Sequence, residues 1–305
     1  MDSLQQSGDA SISGFRGAGI SLIVITALFV TVRIGNSFSS GNRRLLVDDF
    51  LSVLAFILLV CYSAWNYVSA NELQDPNNPN VTIGYYMESS LVLTLLAGFA
   101  MYFSKTPLLI LYIRLFGIKS WLRVTCYATL TLSFILFLTS VSVAGTACSR
   151  SDEAPDPTIL TKCIKTSILV GVMNGSTAVV TDIIIIILPL PIIAKLALPL
   201  HKKIGLAILF LTGIFAIVAS VVSLYFKSMS LAGYSAALGP TLFCTIIECS
   251  LAIMVGCAPA VRSCWTKYER DHALYAKMQS MFSSFKLTGP RKIAKSECQQ
   301  YEQLP

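Results

Sequence analysis

Long apolar runs separated by short polar connections set the pattern of this chain. A bilayer core about 30 Å thick is crossed by roughly 20 apolar helical residues. Seven stretches reach that length: residues 17–34, 50–70, 84–116, 121–147, 166–196, 204–226 and 241–261. The third is long enough to tilt, and Pro107 within it predicts a kink. Pro189 and Pro191 stand near the end of the fifth. The pattern predicts an all-α membrane protein, a seven-transmembrane-helix bundle. No connection is long enough for a folded domain of its own. The expected division is a short N-terminal segment (residues 1–16), a seven-helix membrane domain (17–261) and a basic tail (262–305).

Composition agrees with lipid as the main solvent. Of 305 residues, 54% are hydrophobic and 13% charged, against about 25% charged in soluble domains. The first thirteen residues carry Asp2 and Asp9 and no basic residue, unlike a cleaved signal peptide. The first apolar run is therefore expected to stay as a helix.

The net charge of +7 changes the picture through its distribution. Arg33, Arg43, Arg44, Arg114, Lys119, Arg123, Lys195, Lys202, Lys203 and the basic tail fall on one side. The other side has Arg16, Arg150, Lys162, Lys165 and Lys227. The positive-inside rule puts the rich side in the cytosol, with the N-terminus outside and the C-terminus cytosolic. This charge fits a membrane surface rather than nucleic acid. The sequon Asn80-Val81-Thr82 then falls in an outside loop, making Asn80 a glycosylation candidate. Cys148 and Cys163 share another outside loop, where they stand either as a disulfide or as two unpaired thiols.

The tail places Leu274, Met278, Met281, Phe282 and Phe285 at helical spacing among basic residues. That suits an amphipathic helix lying on an anionic leaflet. Cys264 is either a palmitoylation site or an ordinary surface thiol.

Ionisable residues within membrane helices are costly, and persist when paired, hydrated or used. Four stand out: Glu88 and Lys105 in the third run, Asp182 in the fifth and Glu248 in the seventh. Glu88 and Lys105 are about 25 Å apart along a helix and do not pair. Lys105 and Asp182 lie at comparable depth and are expected to form an interhelical ion pair, as structural support or as a switch. Thr241, Thr245 and Glu248 share one helix face, and Asn174, Thr177 and Thr181 share another. These stripes either line a common polar cavity or make ordinary helix–helix hydrogen bonds. Asp48 and Asp49 open the second helix, where they favour its dipole with Arg43 or Arg44 as partners.

Several chemistries are excluded. A retinal pigment needs a lysine in the seventh helix, and residues 241–261 contain none. Seven-helix zinc hydrolases need clustered histidines; only His201 and His272 exist, far apart in sequence. No C-x-x-C pair occurs, which argues against a zinc ribbon or a thioredoxin-like site; no metal and no cofactor is expected. The inner end of the third helix reads Leu111-Tyr112-Ile113-Arg114, without the Asp-Arg-Tyr of the common animal receptors.

The chain resembles the fungal rhodopsin-like seven-helix membrane proteins, the group that includes the satratoxin-cluster membrane protein. The resemblance spans roughly residues 15–265 and rests on motifs in order. They are RLLVDDF (44–50), KTPLLILYIRLF (105–116), the Cys148–Cys163 loop, DIIIIILPLP (182–191), the segment from Lys203 to Ser220, and Glu248 followed by CAPAVR (257–262). Ser223 departs from the pattern, since many relatives carry a basic residue there. The resemblance implies two roles: an accessory component of a secondary-metabolite pathway that senses, binds or handles the metabolite, or a cell-surface receptor coupling an outside cue to cytosolic signalling. The expected partners are the lipid bilayer, a small-molecule ligand and a cytosolic signalling or biosynthetic protein. A membrane enzyme using Lys105, Asp182 and Glu248 as acid–base groups is a rival. A transporter is another, weakened by the lack of an internal repeat.

Overall fold

The computed structural model describes residues 2–39, 47–72, 82–116, 119–148, 157–191, 200–233 and 239–261. Asn80, Arg43, Arg44, Cys264 and the tail segment expected to form an amphipathic helix lie outside the described residues. Seven helices follow one another: α1 (Asp2–Ser39), α2 (Val47–Glu72), α3 (Ile83–Phe116), α4 (Ser120–Ala147), α5 (Pro157–Ile187), α6 (Leu200–Leu231) and α7 (Gly239–Val261). Each contains a stretch long and apolar enough to cross a bilayer. The protein is a multi-pass integral membrane protein, an all-α seven-helix bundle.

Several boundaries differ from the sequence expectation, the first helix among them, which runs Asp2–Ser39 rather than 17–34. The fifth helix starts earlier, at Pro157, and ends at Ile187. Pro189 and Pro191 follow that end, and proline stops a helix by removing a donor and restricting its predecessor. The sixth continues past Phe226 to Leu231, so Lys227 sits inside a helix rather than in a connection. The third runs unbroken through Pro107.

Each membrane helix satisfies its own backbone, so neighbours need only pack and pair their polar groups. α3 and α7 are the most enclosed of the spans. α3 packs against α2, α4 and α5, and α5 against α4 and α6. Polar contacts set α7 against four helices. Tyr62 Oη of α2 donates to Leu242 O at 3.3 Å, and Ser230 of α6 bonds Thr241 at 3.2 Å. Asn36 of α1 donates to Ala260 O at 3.1 Å, and Lys105 of α3 reaches Glu248.

Apolar packing falls into three groups. One joins α1, α2, α3 and α7 through Val30, Leu59, Tyr62, Met101, Ile246 and Ile253. A second, around Leu109, Tyr112, Leu122, Ile185 and Val255, lies toward the opposite end from the disulfide. The third packs Met87 against the Cys148–Cys163 disulfide. Small residues let helices close up where only van der Waals contact holds them. A Cβ at Gly98 would stand 2.8 Å from the Phe137 ring of α4. A Cβ at Gly175 would stand 3.2 Å from the Lys227 stem.

Candidate functional site

Four buried charges meet inside the bundle. Lys105 Nζ of α3 lies 2.9 Å from Asp182 Oδ2 of α5 and 3.3 Å from Glu248 Oε1 of α7. It also donates to Ala178 O at 2.9 Å. Lys227 Nζ of α6 lies 3.9 Å from the other Glu248 oxygen, Oε2, and 3.9 Å from Met101 Sδ. Ser220 Oγ of α6 donates to Asp182 Oδ2. Relative exposures of 5% for Lys105, 6% for Asp182, 4% for Lys227 and 2% for Glu248 make pairing obligatory, because an isolated charge at this depth is strongly disfavoured. Two ammoniums and two carboxylates leave the cluster formally neutral.

The Lys105–Asp182 pair stands where helix depth places it. Glu248, grouped from the sequence with Thr241 and Thr245 on one face of the seventh helix, bridges both lysines. Ser220, Ser223, Lys227 and Ser230 are all buried and recur along α6 at spacings of three and four. That stripe points into the bundle and carries the second cation. Ser223 Oγ, Ser250 Oγ and Glu248 Oε2 are buried without a hydrogen-bond partner.

The polar stripe of α5 faces elsewhere. Asn174, Thr177 and Thr181 line a cavity of about 40 Å³ with Tyr102 of α3 and Ser133 of α4, and Lys105 forms part of its wall. No residue of α7 borders it, so the two stripes do not share one cavity. Asn174 Oδ1 accepts from Ser140 at 2.9 Å, and Ser133 and Thr181 approach at 3.5 Å. A second cavity, of about 20 Å³, touches Lys105 and Asp182 between α3, α5, α6 and α7. At roughly 10–15 Å³ per water site, the first has the volume of about three waters and the second of one or two. Thr245 donates to Thr241 O at 3.1 Å within α7. Glu88 is exposed near the disulfide end, away from the cluster.

A second ionic cluster joins α1, α2 and α7 at the other end of the bundle. Arg33 Nη2 pairs with Asp48 and Arg33 Nε with Asp49, both at 2.8 Å, while Nη1 donates to Gly256 O at 2.6 Å. Ser37 donates to Asp49 at 2.7 Å. Arg114 of α3, 51% exposed in its side chain, stands 3.9 Å from Asp48. Arg33 belongs to the buried core rather than to a connection and pairs with both aspartates; Arg43 and Arg44, the partners expected from the sequence, lie outside the described residues. The planar guanidinium supplies donors in several directions at once, which a lysine there would not match.

Residues 32–267 match the fungal rhodopsin domain. The chain belongs to that family. No curated protein and no solved structure matches it. The family name suggests retinal, and the residues of this fungal rhodopsin-like protein do not fit that group. α7 has no lysine. Among the described residues the two buried lysines are engaged with carboxylates. The cavities beside Lys105 are far below the roughly 300 Å³ at which sites for sizeable organic ligands begin.

Proposed function

We propose that this fungal rhodopsin-like protein senses, binds or handles a small molecule as an accessory component of a secondary-metabolite pathway. The observation that carries this reading is the neutral four-charge cluster at the junction of α3, α5, α6 and α7, with a cavity of about 40 Å³ against Lys105. A molecule that displaces one partner of such a cluster changes the balance of the other three, so a local contact becomes a helix rearrangement. Lys105, Asp182 and Glu248 are the switching charges in this scheme, and Asn174 borders the ligand side. Thr245, one turn before Glu248, positions that helix face. Glu88 is left as a residue of the outer mouth.

A receptor role is the second reading, favoured by one observation: α7 takes part in both ionic clusters, through Glu248 and through the Gly256 carbonyl. A shift of α7 at one cluster is felt at the other. In both readings the N-terminus and the disulfide face away from the cytosol, Asn80 carries a glycan, and the basic tail meets a cytosolic partner. The membrane is the plasma membrane or one of the secretory pathway.

The test is deletion of the gene, with metabolites and transcripts profiled in parallel, and complementation by Lys105→Met. A product that is lost, retained or mislocalised upon deletion, and not restored by the variant, supports the pathway role. Unchanged chemistry with altered transcription supports the receptor. Wild-type chemistry and transcription in the deletion strain overturn both.

A further inference from the structure

We infer that the cavity between α3, α4 and α5 is a membrane-facing site for the polar end of an apolar molecule bearing a hydroxyl or carbonyl group. The inference rests on the ligand-handling reading above and locates its ligand. Depth is the first argument. Tyr102, Ser133 and Thr177 line the cavity and stand near the middle of their helices, well away from both polar faces. All three are only half-buried. Around them Phe134, Ile135 and Val180 are exposed on the lipid-facing surface. An opening at this depth meets acyl chains, not water, so its occupant arrives through the bilayer.

Hydrogen-bonding capacity is the second argument. Asn174 uses its oxygen to accept from Ser140, which turns its amide nitrogen toward Gly98, 3.5 Å from where a Cβ would be. Ser133 and Thr181 are at 3.5 Å, the outer limit of a hydrogen bond. Thr181 spends its own proton on Thr177 O at 2.8 Å, so the Ser133 hydroxyl, held by that long contact, and the Asn174 amide N–H are the donors offered at acyl depth to an oxygen-bearing guest. The third argument is the wall. Tyr102 and Phe137 flank the cavity with ring centroids 6.2 Å apart, supplying apolar surface for the carbon next to that oxygen. About 40 Å³ admits a hydroxyl or carbonyl head, not a whole lipid. Lys105 in the same wall places the guest beside the charge cluster.

The same chemistry is offered by a membrane lipid with a free hydroxyl and by a free apolar metabolite. The experiment uses the full-length protein in phosphatidylcholine nanodiscs, a diazirine-bearing decanol as probe, and the matching diazirine-bearing decane as control. Irradiation and peptide mapping should place the alcohol label on α3, α4 and α5 segments facing the cavity, over the alkane by roughly five- to tenfold, the scale of one hydrogen bond. Gly98→Val and Thr177→Leu, which fill the cavity from two sides, should each abolish that preference while the Cys148–Cys163 disulfide and circular dichroism stay intact. Competition by excess diacylglycerol identifies a lipid as the source, and competition by unlabelled decanol alone identifies a free small molecule. Equal labelling by alcohol and alkane, labelling spread around the bundle, or a preference kept in the folded Thr177→Leu variant overturns the site. Such a result leaves the gene-deletion phenotype untouched, so failure here and failure of the functional reading are distinguishable.

Discussion

Replacing Lys105 by methionine removes the cation that two buried carboxylates share while keeping a similar side-chain length. At 2.9 and 3.3 Å and an effective dielectric of about 20, each attraction is worth about 5–6 kcal/mol before desolvation is counted. Desolvation of the three groups takes most of that back. The net cost of removing one partner of a buried pair is about 3–5 kcal/mol, because the other charge is left behind. Asp182→Asn leaves Lys105 still facing Glu248 and should cost less, about 1–3 kcal/mol. The double variant Lys105→Met/Asp182→Asn should be more stable than the sum of the single losses implies, with a coupling of about 1–3 kcal/mol. Reversible unfolding in mixed micelles, titrated with denaturing detergent, gives the four free energies of the cycle. A Lys105→Met protein within about 0.5 kcal/mol of wild type, or a cycle with no coupling, would refute the reasoning.

Arg33→Met should cost about 3–5 kcal/mol in the same assay, since it strands Asp48 and Asp49 together. Arg114→Met, half exposed at 3.9 Å from Asp48, should cost under about 1 kcal/mol; equal losses for the two would remove the distinction between core and rim. Cys148→Ser opens a 15-residue loop and should lower stability by about 3 kcal/mol, an effect that thiol reduction of the wild type should reproduce. Gly175→Leu should force the Lys227 stem off the α5 surface and cost about 1–3 kcal/mol, read as a drop in melting temperature of protein in nanodiscs.

The seven helices were legible because lipid leaves little choice: a spanning segment must be apolar along its whole length. The Lys105–Asp182 pair was legible for a related reason, since depth in a bilayer is counted directly along the sequence. Rotation about the helix axis is not counted that way. Glu248 lies at a matching depth, yet nothing local says that α7 turns it toward Lys105 rather than away. Lys227 was hidden by a boundary. Apolarity stops at Phe226, and the helix goes on to Leu231. The Ser220, Ser223, Lys227 and Ser230 spacing was the signal that α6 continues with one face inward. Arg33 was obscured in the same manner, as a basic residue at the end of an apolar run whose helix continues to Ser39. The α5 stripe facing α3 and α4 rather than α7 follows from which helices neighbour one another, and that is a property of the assembled bundle.

The order in which the buried charges occur along the chain bears on how the bundle is made. Among the described residues, α1 brings one buried cation, Arg33, and α2 follows at once with Asp48 and Asp49. α3 adds Lys105, α5 adds Asp182, α6 adds Lys227 and α7 adds Glu248. Signs alternate from one charged helix to the next, so the running total of buried charge never departs from zero by more than one as the helices emerge from the ribosome. Each new ion enters a membrane that already holds its counter-ion or receives it within two further helices. A chain arrested before α7 would keep Lys227 without Glu248 and Arg33 without the Gly256 carbonyl. The last helix therefore closes both clusters together, and an incomplete bundle differs from a finished one by exposed intramembrane charge, the feature on which membrane quality control can act.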